Sequence, residues 1–255
     1  MLNIVVPMAG RGSRFANAGY RDPKPLIAID GRPMIQWVID NIRPSRSHRF
    51  IFICLAEHLT QYPEIQSRLE HLCPGCAIIT VDQVTQGAAC TVLLARKHLE
   101  TDEPLMIANS DQYVDTPIDR YLERLDEAGA DGLIMTFRAD DPKWSYCRVR
   151  PEGTVAEVVE KRVISNEATV GIYNFARGRD FVRAADEMIA QNLRVNGEFY
   201  VAPVFNTLIS RGAKIVTYSI NDIASGGMHG LGTPEDLAQF LRSATYSKLI
   251  SRKIG

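Results

Sequence analysis

The chain of 255 residues has no long apolar run, no excess of charge of either sign, and no second pair of closely spaced cysteines. The opening "MLNIVVPMAG" has no basic stretch, and its apolar run falls far short of the roughly 18 residues that a membrane span requires. No later segment comes closer, so a cytoplasmic protein is expected. Lysine and arginine (29) nearly balance aspartate and glutamate (30), for a formal net charge of −1. Such a balance argues against nucleic acid or an anionic membrane surface as a partner and makes any basic cluster a local feature. Of the five cysteines, Cys73 and Cys76 form one Cys-x-x-Cys with His71 nearby. A structural zinc site needs four ligands, usually two such pairs. Pro74-Gly75 reads instead as a turn between a helix ending near Leu72 and a strand from Ala77. His48, His58, His71 and His98 show no partner pattern. Linkers, repeats and low-complexity tracts are also lacking, so one domain over residues 1–255 is expected.

What is present is an alternation. The runs "LNIVVP", "RFIFICL", "AIITV", "PLMIANS" and "DGLIMTF" read as strands. Between them, "PMIQWVIDNI", "LTQYPEIQSRLEHL", "GAACTVLLARKHL" and "PIDRYLERLDEAG" carry helical spacing. Strands so continuous in apolar residues are buried on both faces, as in a parallel sheet covered by helices. The fold class expected is α/β: a three-layer, doubly wound, mostly parallel sheet, Rossmann-like, with a small sub-lobe. After residue 139 the rhythm changes. Two short strands flank the turn Pro151-Glu152-Gly153, "ATVGIYNFA" reads as a strand, "RDFVRAADEMIAQNL" and "FYVAPVFNTLIS" as helical, and "AKIVTYSI" as a strand. Residues 140–220 therefore form the sub-lobe, and 221–255 a closing helix and tail. Thr233-Pro234-Glu235-Asp236 is a capping box with proline in the first turn.

Directly after the first strand, Gly10, Arg11, Gly12, Arg14 and then Pro23-Lys24-Pro25 crowd into one loop. The carboxyl end of a parallel strand is where open α/β sheets bind ligands. Glycines there permit a tight turn and direct N–H groups at an anion, and Arg14 and Lys24 add charge. A polyphosphate is implied. No Gly-Lys-Ser/Thr follows, which rules out a P-loop. Phe15 stands where a dinucleotide fingerprint has its third glycine, and no helix is expected to start there. The two prolines are expected to hold Lys24 on an extended arm. Taken singly, each of these residues also reads as an ordinary solvated turn or capping residue.

"GRGSRF" followed by "PKPL" resembles the signature of the sugar-phosphate nucleotidylyltransferases. The resemblance continues in order through "DQVTQGAACTV", "MIANSDQYVD", "VVEKRVISNEATVGIYNF", "NGEFYVAPVFNTLI" and "GLGTPEDLAQF", nearly the whole chain. It implies that Ala9, Gly10, Arg11, Gly12 and Ser13, with Arg14 and Lys24, hold a nucleoside triphosphate. It implies that Gln83 and Gly87 meet the base, a pyrimidine or a guanine. It places Asp111 on Mg²⁺ and Glu160, Lys161, Gly171 and Glu198 around a phosphorylated acceptor. Residues 1–139 would then be the nucleotide part and 140–220 the acceptor part.

The reaction implied is attack by an acceptor phosphate oxygen on the α-phosphorus, with release of pyrophosphate. Such a step needs alignment and charge neutralisation more than a strong base. Arg14, Lys24 and Asp111 are the expected catalytic residues. Precursors of capsule, lipopolysaccharide or other surface glycans are the expected products. The second metal carboxylate of the family has Gly230 in its place here, with Asp222 upstream on the same loop as a candidate substitute. Tyr200 and Arg162 also depart from the family pattern, which opens the acceptor pocket to an unusual sugar phosphate or another small phosphomonoester. Two alternatives remain at this level: a nucleotide-sugar glycosyltransferase, which would want an Asp-x-Asp pair where "NSDQ" offers one carboxylate, and an inactive nucleotide-sugar binding protein. The oligomeric state is left open.

Overall fold

The computed structural model describes residues 1–220 and 227–254. Asp222 lies outside the described residues. The chain begins with β1 (Leu2–Met8), a short helix α1 (Ser13–Asn17), a single 3₁₀ turn at Lys24–Leu26 and the hairpin β2 (Ala28–Ile29) and β3 (Arg32–Pro33). Asp30 and Gly31 both take positive φ at its tip, the geometry that a tight two-residue hairpin needs. Next come α2 (Met34–Ile42), β4 (His48–Leu55), α3 (Ala56–Gln61), α4 (Glu64–Leu72), β5 (Ala77–Val81), α5 (Ala88–Leu93) and α6 (Arg96–Leu99). The centre of the chain gives β6 (Leu105–Ala108), β7 (Gln112–Val114), α7 (Ile118–Ala128) and β8 (Gly132–Arg138). They are followed by β9 (Ser145–Val149), β10 (Val155–Glu160), β11 (Glu167–Phe175), α8 (Gly178–Ala190) and α9 (Val204–Ser210). Finally there are β12 (Ile215–Ser219), β13 (Met228–Gly230), α10 (Pro234–Leu241) and α11 (Ala244–Ile254).

Among the described residues the main sheet has nine strands. Strands β5, β4, β1 and β6 lie side by side and parallel. β11 then joins antiparallel between β6 and β8, and β12 extends the sheet parallel to β8. The β9–β10 pair is antiparallel and attaches to β11. The mostly parallel α/β sheet expected from the sequence is therefore present, with the antiparallel insertion where Pro151-Glu152-Gly153 turns.

Alternating side chains explain the layers. Along β1, Leu2, Ile4, Val6 and Met8 join one core, together with Phe50, Phe52 and Cys54 of β4 and the apolar stripes of α2, α4, α7 and α10. Val5, Ile51, Ile53 and Leu55 face the opposite core under α5, α6, α8 and α9. Both faces are dry, which is why these strands read as unbroken apolar runs. The cysteines serve packing. All five are free, and burial pushes the Cys54 thiol up to about 12 and Cys73 up to about 11, so both are protonated at neutral pH. Cys76 N–H donates to the Cys73 carbonyl at 3.0 Å, closing the expected turn.

Several local expectations are corrected. A helix does start in the glycine loop, because Gly12 at φ 62° turns the chain into α1. Lys24 sits in a 3₁₀ turn with Pro25 inside its first positions, where a missing N–H costs nothing. Pro63 splits "LTQYPEIQSRLEHL" into α3 and α4. "GAACTVLLARKHL" divides into α5 and α6, and only Val204–Ser210 of "FYVAPVFNTLIS" is helical. The capping box holds on one side: Thr233 Oγ1 accepts from Asp236 N–H at 3.0 Å.

Candidate active site

The glycine loop and Asp111 meet at the carboxyl ends of β1 and β6. Gly12 is needed twice: its φ of 62° is left-handed, and a β-carbon there would lie 3.2 Å from Lys24 Cβ. The loop thus seats the backbone of Lys24, and Pro23 and Pro25 fix its turn. From that seat Lys24 Nζ donates to Asp111 Oδ2 at 2.5 Å. The Lys24 and Asp111 side chains retain 19% and 26% of their exposure, so both remain open to a ligand. Asp111 is held by its main chain, whose carbonyl accepts from Leu231 N–H at 2.8 Å. The short ladder of β7 with β13 follows immediately.

A cavity of about 350 Å³ opens beside this pair. Pro7, Met8, Ala9 and Gly10 form one wall, and Val84, Thr85 and Gly87 another. Asn109, Ser110, Asp111 and Glu198 also line it. Gly87 has φ 133°, and a β-carbon there would lie 2.4 Å from the Phe199 carbonyl oxygen. Gln86 and Ala89 bond the Phe199 main chain at 2.9 and 3.0 Å, so the base-side loop is stitched to the segment that carries Glu198. Arg194 caps this seam: it donates to Gln86 Oε1 at 2.6 Å and stacks 4.1 Å from the Phe199 ring centre.

A second cavity of about 230 Å³ adjoins the first. Glu160, Lys161 and Gly171 line it, with Gln112, Trp144 and Tyr200. Ser145 Oγ donates to the Glu160 carboxylate. Burial is the main cause that raises the Glu160 pKa, opposed by that hydrogen bond and by Lys161. Lys161, at the rare φ of 53°, donates to Tyr200 OH at 2.8 Å; this bond is the largest cause of its raised pKa. Gln112, which lines this cavity, has a buried Oε1 that finds no partner among the described residues, an unpaired acceptor of the kind that folded proteins rarely keep.

The expected residues thus distribute unevenly. Ala9, Gly10, Gly87, Asp111 and Glu198 line the first cavity, and Glu160, Lys161 and Gly171 the second. Arg11, Ser13 and Arg14 are exposed on and beside α1, outside both linings, and so is Gln83. Thr85 takes a wall position in place of Gln83: its hydroxyl bonds Thr91 Oγ1 at 2.6 Å. Thr85, Asn109, Gln112, Trp144 and Gly232 were not singled out in the sequence. Gly232 carried a signal, a glycine just before the Thr-Pro cap: a β-carbon there would stand 2.7 Å from Asp111 Oδ2. That cradle suits a hard cation, since Mg²⁺ takes one or two carboxylate oxygens and completes its shell with phosphate and water.

A nucleotide-transferring site is the class this arrangement defines: a glycine loop and lysine after β1, a carboxylate after β6, and a second polar cavity alongside. The profile described as Nucleotidyl transferase matches residues 4–195, and the chain belongs to that family. It is 26% identical over 249 residues to the bifunctional protein GlmU of Herminiimonas arsenicoxydans, covering 94% of this chain and 51% of the relative. The chain therefore spans about half the length of that curated relative. Among solved structures it resembles the nucleoside-diphosphate-sugar pyrophosphorylase from Vibrio cholerae RC9 at TM-score 0.78 and 26% identity, over 94% of this chain and 100% of that one. A UDP-glucose pyrophosphorylase complexed with UDP-glucose shares the fold at TM-score 0.75 and 18% identity, over 97% and 99% of the two chains.

Proposed function

We propose that this protein joins a nucleoside triphosphate to a sugar phosphate, or a closely similar small phosphomonoester, and releases pyrophosphate. The observation that carries this reading is the Lys24–Asp111 pair, 2.5 Å apart, beside a cavity that adjoins a second one of different chemistry. The triphosphate occupies the first cavity and the acceptor the second. An acceptor phosphate oxygen bonds to the α-phosphorus, the bond from that phosphorus to the α–β bridging oxygen breaks, and the electron pair leaves with pyrophosphate. A phosphomonoester dianion is already a nucleophile at neutral pH, so what the protein supplies is alignment and positive charge.

Lys24 turns from Asp111 to the α-phosphate, where an ammonium acts as a mobile point charge. Ala9 and Gly10 bring main chain close to the phosphates, and Arg11, Ser13 and Arg14 reach them from the rim. Asp111 would hold Mg²⁺, which when bound neutralises phosphate charge. Lys161 faces the acceptor phosphate, and Glu160 and Gln112 accept hydroxyl donors from its ring. Trp144 and Tyr200 offer aromatic faces for that ring. The triphosphate substrate makes the cytoplasm the compartment of action, and the product class fits precursors of surface glycans.

Reversal tests this reading. The protein is incubated with Mg²⁺, pyrophosphate and a panel of nucleoside-diphosphate sugars, and nucleoside triphosphate is measured. Formation of one triphosphate together with its sugar 1-phosphate is expected. A panel without triphosphate, from protein that binds nucleotide, contradicts it.

A further inference from the structure

Among the described residues the two cavities share two lining residues, Ala88 and Asn109. Ala88 has no polar side-chain atom. Of the two, Asn109 places a polar side chain at the divide. We propose that Asn109 is a further substrate-contacting residue, whose amide donates a hydrogen bond to a phosphate oxygen where triphosphate and acceptor meet. The assignment rests on the nucleotidyl-transfer reading above.

The position is built rather than incidental. Asn109 follows directly on β6 and stands two residues before Asp111, at the end of a strand buried in the sheet. Its main-chain N–H donates to the Gly171 carbonyl at 3.1 Å. Gly171 has φ 95°, and a β-carbon there would lie 2.3 Å from Asn109 Nδ2 and 2.8 Å from the Gln112 amide. Only a bare α-carbon lets both amides lie against β11. No hydrogen bond ties the Asn109 side chain to another described residue, although the residue is half-buried. Its donors are therefore available to a ligand on either side.

The divide is where the new bond forms. Charge moves there from the acceptor oxygen to the α–β bridging oxygen as one phosphorus–oxygen bond replaces another. A neutral amide donor serves a phosphate oxygen without adding a carboxylate that would repel it. The contact tightens as the attacking and leaving oxygens come into line, so its effect belongs mainly to kcat.

The test uses Asn109→Leu, which removes the donor at similar size, and Asn109→Asp, which keeps the shape and adds charge. Both are compared with wild type on a triphosphate–acceptor pair that wild type turns over, with triphosphate affinity measured separately by calorimetry. The leucine variant is expected to lose about 10- to 100-fold in kcat, the range for a hydrogen bond to a charged group. Its triphosphate Kd and its melting temperature should stay near wild type. The aspartate variant should lose more, and part of that loss should return as the pH falls and its carboxyl regains a proton. A merely structural role would give no such recovery. Two variants with wild-type kcat, or a loss of kcat matched by a loss of fold or of triphosphate binding, overturn the assignment. Wild type that transfers to no acceptor defeats the nucleotidyl-transfer reading and this contact with it.

Discussion

Gly232 stands directly behind Asp111: a β-carbon at 232 would lie 2.7 Å from Asp111 Oδ2 and 3.4 Å from its Cγ. The carboxylate keeps its position because that space is left open. In Gly232→Ala the new methyl displaces the carboxylate, and with it the Oδ2 that Lys24 Nζ bonds, while the glycine loop is not touched. Pyrophosphate release should fall by about 10-fold or more, the order expected when one site group is displaced, and should demand more Mg²⁺ for half-maximal rate. Titration of rate against Mg²⁺ for both proteins checks this. An unchanged Mg²⁺ dependence would separate Asp111 from the metal.

Gly87 has the same kind of relationship to the backbone. The Phe199 carbonyl oxygen and amide nitrogen would lie 2.4 and 2.5 Å from a β-carbon at 87. Backbone cannot rotate aside as a carboxylate can. Gly87→Ala should therefore cost about 1–3 kcal/mol of stability through overpacking and weaken triphosphate and acceptor together, since the seam joins both cavities. Denaturant unfolding and separate KM values for the two substrates are the measurements.

Glu160 supplies a pH dependence of definite sign. Burial raises its pKa above the ordinary value of 4.5, so the folded state binds its proton more tightly than the unfolded chain. Its contribution is fully favourable below the unfolded pKa and is lost as pH rises through the folded one. Glu160→Gln, which cannot ionise, should be more stable than wild type near neutral pH, with the advantage shrinking toward acid. Melting curves of both proteins across that range test it. A stability difference independent of pH would mean that Glu160 is ionised as readily in the fold as outside it.

Much of this was legible in the sequence, and the misses have physical causes. The parallel strands announced themselves because side chains on both faces are buried, as Ile4 and Val5 show on β1. Lys24 between two prolines and Asp111 at a strand end were readable as separate residues. Their contact was not, because it spans 87 positions of chain. The ladder of β7 with β13 is three residues a side, too short for any period to reveal. Asn109 and Gln112 lie inside the stretch "MIANSDQYVD", and Gly171 reads in sequence as an acceptor-side residue. That both amides pack against the bare α-carbon of Gly171 depends on a contact between distant parts of the chain. The glycine loop reads in the sequence as a basic turn; the helix that starts after Gly12 at φ 62° is not legible there, and Arg11 and Arg14 beside it are exposed, outside both cavity linings.

The central claim is that Lys24 and Asp111 serve transfer at the α-phosphorus. The most direct measurement follows pyrophosphate and nucleoside-diphosphate sugar together, with Mg²⁺, across triphosphates and sugar 1-phosphates, for wild type, Lys24→Ala and Asp111→Asn. One pair should yield the two products in equal amounts, with each variant about 10²- to 10³-fold slower, the loss seen when a transition-state charge partner is removed, and with its fold intact by circular dichroism. A wild-type protein that binds triphosphate yet forms neither product, or variants as fast as wild type, would contradict the account.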